Sequence, residues 1–435
     1  MNFKESIDWL YSFKQYGSRL GLQRISDLVK KLENPQNNYK TIHVTGTNGK
    51  GSVCKIISSI LNRAGYKVGT YISPHLQRFS ERIVINDNEI SEEDIVRLIN
   101  KIKPIVEEMI NKNNSPTFFE ITTAIAFLYF SDENVDFAVI EVGLGGRFDA
   151  TNVIKPMVSV ITNISLEHTK NLGEDVESIA FEKAGIIKEK IPVVSAAKKS
   201  AKEVIKKVAV KMQSKYRFIK DSDWKRLNHT ETSQEFIIYG DLTRYTVKTS
   251  LLGKYQGENI AVSILAIEHI QMAGHYIAEN DIIQGVLETF NPGRMEIISE
   301  KPTIILDGAH NPTGAEMLKL TFEGDFEYDK LIIVLGILED KDINNMLSSI
   351  VPISDIIIIT KSSNTRACDT SVLKDKIEKI GFRKKIVIED YIPKAIEQAK
   401  ELANKKDIIC ITGSLFTVGE ARNYFQIYET NIIKS

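Results

Sequence analysis

The chain has 435 residues, 43% of them hydrophobic and 26% charged, and a formal net charge of −1. That mixture excludes a disordered chain and fits an ordinary soluble globular protein. The balanced charge leaves no surplus of Lys and Arg for a sequence-independent grip on nucleic acid, and the length predicts two to four domains at ~100–200 residues each.

Met1–Tyr16 sets Phe3, Ile7 and Leu10 on one helical face and lacks the apolar core and cleavage site of a signal peptide. Thr41–Thr45 reads as a short buried strand and Gly46–Gly51 as a glycine-rich turn. Val53, Ile56, Ile57, Ile60 and Leu61 then recur at helical spacing, so a helix is predicted from near Ser52 to Gly65. Val68–Ile72 is the next strand. Ser91 to Asp94 resembles a capping box with Asp in the Glu place, opening a helix with Pro104 as its expected kink. The longest apolar run, around Ala124–Phe130, falls far short of the ~20 residues that span a bilayer. A cytoplasmic protein without membrane contact is expected.

Phe137–Val142 and Val158–Asn163 are strands between helical stretches, which predicts an α/β fold with a mostly parallel sheet covered on both faces. Phe236–Tyr239 and Arg244–Lys248 flank a Gly-Asp turn and read as a hairpin, a small antiparallel patch on the first domain. Asn291-Pro-Gly-Arg294 is turn chemistry and a candidate linker. Beyond it, strands are predicted at Ile304–Leu306, Leu331–Leu335, Asp355–Thr360, Lys385–Glu389 and Asp407–Thr412. The expected organisation is a large domain over 1–296 and a smaller Rossmann-like α/β domain over 297–435. Three scattered cysteines, Cys54, Cys368 and Cys410, suit neither a disulfide framework nor a zinc site.

The strongest chemical signal is His43-Val-Thr-Gly-Thr-Asn-Gly-Lys-Gly-Ser52. A strand runs into a Gly/Thr/Asn turn at a helix N-terminus, where backbone N–H groups favour phosphate oxygens. Lys50 can reach terminal phosphates, and Ser52 can ligate a bridging magnesium ion. The spacing differs from the usual phosphate loop: two residues separate Gly46 from Gly49, and Gly51 stands between Lys50 and Ser52. Glu141 ends an apolar strand, where open α/β sheets place ligand groups, and a carboxylate there suits a hard cation. Gly143, Gly145 and Gly146 follow it, with Asp149 beyond. His168 is a possible metal ligand, although magnesium prefers oxygen. Lys183, on a predicted helix, reads by itself as a solvated surface charge. Asp307-Gly-Ala-His-Asn-Pro312 ends the first strand of the second domain, again at a ligand-binding edge, and Arg294 in the linker could reach phosphate.

Taken in order, Gly46–Ser52, Ser73-Pro-His-Leu76, Glu81-Arg82, Phe118–Glu120, Glu141–Arg147, Asp149–Asn152, Glu182–Gly185, Pro292–Arg294, Asp307–Pro312 and Gly413–Phe416 resemble the folylpolyglutamate synthase/dihydrofolate synthase family of the Mur ligase superfamily. The resemblance spans residues ~17–422. It implies an ATP-dependent ligase that joins L-glutamate by an amide bond to a reduced folate, to 7,8-dihydropteroate, or to both, through an acyl phosphate. It also implies residue roles. Thr47, Asn48, Gly49, Lys50, Gly51 and Ser52 would hold the triphosphate, with Asn259, Arg294 and Asp307 as further ATP contacts. Ser52, Glu141 and His168 would hold magnesium, and Lys183 would be carbamylated to serve a second magnesium site. Gly21, Leu22, Pro74, His75, Thr117, Phe118, Phe119, Glu120, Asp149 and Ala150 would line the pteroate site. His310 and Ser414 would lie where glutamate meets the transferred phosphate. A monomer with small-molecule substrates is implied. Two positions depart from the family: Tyr255 stands before Gln256 where relatives often carry His, and Asn291 stands where many carry Trp.

Three other readings compete. A cell-wall Mur ligase fits poorly with Gly51 and lacks room for a uridine-nucleotide domain. A phosphate-loop ATPase would turn over ATP without glutamate. A binding-only relative would be expected to lose Lys50, Glu141 or Lys183, and all three are present.

Overall fold

A computed structural model describes residues 1–17 and 19–432, and the side chains of all of these except Lys170 and 427–432. The C-terminal three residues of the expected second domain lie outside the described residues. Two α/β domains follow one another along the chain, each built on its own sheet.

Eight strands form the first sheet, in the spatial order Asn88–Glu89, Ile83–Ile85, Val68–Tyr71, Phe137–Glu141, Lys40–Thr45, Val158–Ile161, Val193–Ser195 and Tyr216–Phe218. All pairings are parallel except the two at the Asn88 edge. The central strands are apolar almost throughout because both faces are covered. Side chains alternate between faces. Phe137 and Val139 join a core with Ile56, Ile60 and Ile264, whereas Ala138 and Ile140 join another with Ile125 and Phe127. The phosphate-loop strand Lys40–Thr45 lies between Phe137–Glu141 and Val158–Ile161, so the C-terminal ends of all three meet at one edge.

The antiparallel patch has three strands, Trp224–His229, Gln234–Tyr239 and Arg244–Thr249, one more than expected. Trp224–His229 is polar and mostly exposed, so it carries no alternating apolar signal. The inward residues Phe236, Ile238, Tyr245 and Val247 pack on the first core. Glu268, buried on the helix Gln256–Met272, holds the hairpin turn by accepting from the Asp241 N–H at 2.6 Å, the Leu242 N–H at 3.1 Å and the Tyr245 hydroxyl at 3.0 Å. Other expectations shift slightly. The helix after the phosphate loop spans Lys50–Arg63, starting before Ser52, because Gly49 at φ +85° already turns the chain into it. The Ser91 hydroxyl does cap the Asp94 N–H at 3.0 Å, but Asp94 accepts from that hydroxyl rather than from the backbone, so the box is not reciprocal. The helix Glu92–Asn111 continues through Pro104.

The second sheet runs Glu296–Glu300, Thr303–Asp307, Ile408–Thr412, Leu331–Leu335, Ile356–Ile359 and Lys385–Ile388. Only the Glu296–Glu300 edge is antiparallel. Among the described residues, side-chain contacts in two regions tie the domains together away from the phosphate loop. Arg226 of the antiparallel patch meets both carboxylate oxygens of Asp325 at 2.7 Å. The loop after Val68–Tyr71 docks on the last helix, Leu415–Ile432: Gln77 bonds Asn423 and Arg422, and a Cβ on Gly419 would lie 2.2 Å from the Leu76 carbonyl oxygen. Among the described residues, no helix is long and apolar enough to cross a membrane.

Candidate active site

The phosphate loop is pinned from the neighbouring strand end. Thr47 N–H donates to the Asn163 carbonyl at 2.8 Å, and Asn48 N–H donates to Asn163 Oδ1 at 3.0 Å. The Thr162 hydroxyl donates to the Asn48 carbonyl at 2.7 Å. Gly46 has no room for a side chain, since a Cβ would sit 1.7 Å from Thr162 Oγ1. Gly49 combines positive φ with contact on Asn259, whose Oδ1 would lie 2.4 Å from a Cβ. Asn259 is in turn fixed by Gln256 at 2.8 Å. Gly51 is different: a Cβ there would meet no protein atom within 4 Å. Lys50 Nζ donates to the Gly46 and Thr47 carbonyls at 3.1 and 2.9 Å, across the loop mouth. This donor-rich cradle at a helix N-terminus fits a nucleotide's phosphates.

The expected metal residues follow three adjacent strands: Ser52 on the helix after Lys40–Thr45, Glu141 at the end of Phe137–Glu141 and His168 in the segment after Val158–Ile161. Ser52 Oγ accepts from Asn291 Nδ2 at 3.0 Å. Glu141 is buried and accepts from the Ser73 N–H at 2.9 Å. Burial raises its pKa, while Lys50, Arg294 and Arg82 oppose the shift. A buried carboxylate among cations with no direct ion pair is suited to a metal-bound nucleotide. His168 is exposed, its side chain at 40%, in a left-handed backbone conformation at φ +51°, and partial desolvation lowers its pKa to about 4. Among the described residues, no three His, Cys, Asp or Glu side chains converge into a metal cage. Magnesium needs none, because it binds through one or two protein ligands together with substrate phosphates and water.

Lys183 is not on a solvated face. It is buried, and its Nζ donates to the Gly46 carbonyl at 2.6 Å. Burial, reinforced by the Lys50 charge, lowers its pKa to about 7. Asp149 is buried and engaged within its own loop, accepting from Thr151 N–H at 3.0 Å, Thr151 Oγ1 at 2.6 Å and Leu144 N–H at 2.8 Å. Ala150, beside it, is buried.

Most expected acceptor residues gather near the same edge. Thr117 caps the helix Phe118–Asp132, and Glu120 completes that capping box and meets Arg24 at 3.1 Å. Phe119 lies under Gly143, where a Cβ would be 2.5 Å from its ring. Pro74 is exposed after a cis Ser73–Pro74 peptide. His75 Nδ1 accepts from Arg82 Nε at 2.8 Å, and burial followed by the Arg82 charge lowers its pKa to about 3. Arg82 stands 5.5 Å over the Phe118 ring, and Lys14 stands 3.9 Å over Tyr11. Leu22 packs on that core, whereas Gly21 has open space about it. Sequence reasoning passed over Lys14 and Tyr11, which lie in a helical segment with no motif of its own.

Across the gap, Asp307 is buried and accepts from the Met295 and Ala309 N–H groups, both at 2.9 Å. Burial raises its pKa against the pull of Arg294. Arg294 donates to the Gly308 carbonyl at 3.0 Å. His310 Nδ1 lies 2.8 Å from the Gly308 carbonyl, to which it donates, and Nε2 faces Glu167 Oε1 at 3.5 Å. Ser414 is buried, and its hydroxyl accepts from the Thr417 N–H at 3.0 Å as the cap of the last helix. Glu167 and Asn311 were missed. Glu167 is buried, and the nearby His310 and Lys50 hold its carboxyl well below the usual range. Nothing local in the sequence marks a Glu as facing another domain.

Residues 44–267 match the Mur ligase middle domain, and residues 293–415 match the Mur ligase, glutamate ligase domain. The Bacillus subtilis dihydrofolate synthase/folylpolyglutamate synthase is 37% identical over 430 residues, covering 97% of this chain and 98% of that protein. The solved Mycobacterium tuberculosis folylpolyglutamate synthase complexed with ADP and AMPPCP superposes with a TM-score of 0.91 at 32% identity, covering 98% of this chain and 99% of that one. Escherichia coli FolC in complex with DHPP and ADP superposes at 0.85 with 29% identity, covering 98% of both chains. With both domains matched in order and the likeness running nearly end to end, the chain belongs to the dihydrofolate synthase/folylpolyglutamate synthase family of Mur ligases.

Proposed function

We propose that this chain ligates L-glutamate to the carboxylate of a reduced folate, of 7,8-dihydropteroate, or of both, with ATP converted to ADP and phosphate. Residues 1–296 would hold nucleotide and acceptor, and residues 297–435 would bring glutamate. The observation that carries the reading is the grouping of an open phosphate cradle, the buried Glu141 and the buried Lys183 at one sheet edge, directly facing the turn 307–312 of the glutamate ligase domain.

A carboxylate is a poor electrophile. Attack of its oxygen on the γ-phosphate gives an acyl phosphate and ADP, a step of positioning and charge neutralisation. In this reading Lys50 leaves the Gly46 and Thr47 carbonyls to neutralise phosphate oxygens. The loop residues Thr47 to Ser52 and Asn259 hold the triphosphate, and Arg294 and Asp307 hold the rest of the nucleotide. Ser52, Glu141 and His168 would hold magnesium, which supplies charge neutralisation at the phosphates. Lys183, with a pKa near 7, has a neutral amine fraction able to add to carbon dioxide, losing a proton to give a carbamate. That anion would replace a repelling ammonium with an oxygen ligand for a second magnesium site. Gly21, Leu22, Pro74, His75, Thr117–Glu120, Asp149 and Ala150 would bind the pterin-bearing acceptor. The glutamate amine then attacks the acyl carbon near His310 and Ser414, and phosphate leaves. A cytoplasmic monomer acting on small molecules is the form proposed.

The test is ADP release by the purified chain with magnesium and ATP, with 7,8-dihydropteroate in one reaction and tetrahydrofolate in another, each with and without glutamate. Glutamate-dependent release with one acceptor assigns the branch, and release with both makes the enzyme bifunctional. No glutamate-dependent release with either removes the folate reading.

A further inference from the structure

Asn311 is buried at the N-terminus of the helix Pro312–Asp325, and its side chain uses every polar valence it has. Oδ1 accepts from the Gly314 N–H at 2.8 Å, which caps the helix. Nδ2 donates to Asn48 Oδ1 at 2.9 Å and to Glu167 Oε1 at 3.1 Å. Asn48 Nδ2 returns a bond to Asn311 Oδ1 at 3.3 Å. Capping needs only the oxygen, and Ser or Asp would serve that purpose as well. The amide nitrogen serves something else. Both of its hydrogens cross to the first domain, one to the phosphate loop and one to the carboxylate that faces His310.

The Asn48 backbone is held by Thr162 and Asn163, so the side chain that meets Asn311 springs from a pinned point of the loop. We infer that Asn311 is a positioning residue for the amide-forming half of the reaction. It docks the turn 307–312 on the phosphate loop in one register, so that glutamate reaches the activated acceptor while water does not. The inference rests on the glutamate-ligase reading. Without the dock, water attacks the acyl carbon, its bond to the bridging oxygen breaks, and phosphate leaves. The acceptor carboxylate is regenerated and the proton goes to solvent. The net change is ATP hydrolysis without ligation.

The experiment compares wild type with Asn311→Ser and Asn311→Asp, both of which keep a capping oxygen and lose the two donated bonds. Melting temperature, ADP affinity by calorimetry, KM for glutamate, and the ratio of ADP released to glutamate incorporated are measured on the full chain. In Asn311→Ser, melting temperature and ADP affinity are expected to stay near wild type, whereas Asn311→Asp is expected to melt lower because it buries a carboxylate beside Glu167. The glutamate KM is expected to rise about tenfold or more, the loss that follows from two hydrogen bonds, one of them to a carboxylate. The ADP-to-glutamate ratio is expected to rise above the wild-type value of one, more for Asp than for Ser because Asp sets a second carboxylate against Glu167. Wild-type coupling and wild-type glutamate KM in both variants overturn the inference. A lowered melting temperature in Asn311→Ser with coupling intact assigns Asn311 to helix capping alone and overturns it too. A wild-type protein that shows no glutamate-dependent ADP release instead removes the ligase reading.

Discussion

His43 gives a stability test that does not depend on the reaction. It lies in the middle of the phosphate-loop strand, fully buried, with Nε2 2.8 Å from Thr151 Oγ1. The Thr151 hydroxyl already donates to Asp149 Oδ1, so Nε2 must be the donor and Nδ1 must be bare. Nδ1 is buried without a hydrogen-bond partner. A proton placed there would be a buried charge with nothing to receive it, and burial, helped by the Lys188 charge, lowers the pKa to about 3. The folded value lies below the unfolded one, so the contribution is complete above pH ~6.5 and is lost as pH falls toward about 3. At pH 5 the unfolded imidazole is protonated in roughly 30-fold excess while the folded one is neutral, which costs about 2 kcal/mol. His43→Gln keeps a donor toward Thr151 and removes the titration. Between pH 7 and pH 5 the wild type should lose about 2 kcal/mol more than this variant in the unfolding of the first domain, measured by urea titration followed by fluorescence. With histidine labelled for NMR, the His43 imidazole should hold its neutral shift down to pH 5, alongside those of His75 and His168, and its signal is assigned by its loss in His43→Gln. An imidazole at position 43 titrating near 6.5, or parallel pH profiles for the two proteins, would refute the reasoning.

Three further predictions concern the site. Lys50→Ala should lower the rate of glutamate-dependent ADP release by on the order of 10²- to 10³-fold, the range found when one charge-stabilising donor is removed, and a near-normal rate would sink the phosphate-loop assignment. Glu141→Gln should raise the magnesium concentration needed for half-maximal activity about tenfold or more, and an unchanged magnesium titration removes Glu141 from the metal site. Lys183→Ala should cripple synthesis and be partly restored by added formate or acetate. Full activity without rescue would show that the buried lysine needs no carbamate.

Much of the fold is written in local pattern. Strands such as Leu331–Leu335 and Ile356–Ile359 are runs of branched apolar residues because helices cover both faces of the sheet. The edge strands Asn88–Glu89 and Trp224–His229 have no such run, since one side or more meets solvent. The site divides in the same way. Gly46–Ser52 and Glu141 are readable because strand end, turn and helix start are contiguous. Lys183 reads as a surface charge until the fold buries it against the Gly46 carbonyl. Asn48 and Asn311 are 263 residues apart, and neither segment hints that the other is its partner. Ser414 has a local role as well: its hydroxyl caps the last helix by accepting from the Thr417 N–H.

The chain's three thiols, Cys54, Cys368 and Cys410, are all buried, and burial pushes each of their pKa values up. Protonated, enclosed thiols react slowly with electrophiles. The native protein is therefore chemically silent toward maleimides, with nothing to strip out before labelling. A cysteine at exposed Glu174 and another at exposed Glu339, one on each domain, would carry the only dyes on the molecule. Energy transfer between them would then follow the gap between the domains in real time, on an enzyme otherwise unaltered.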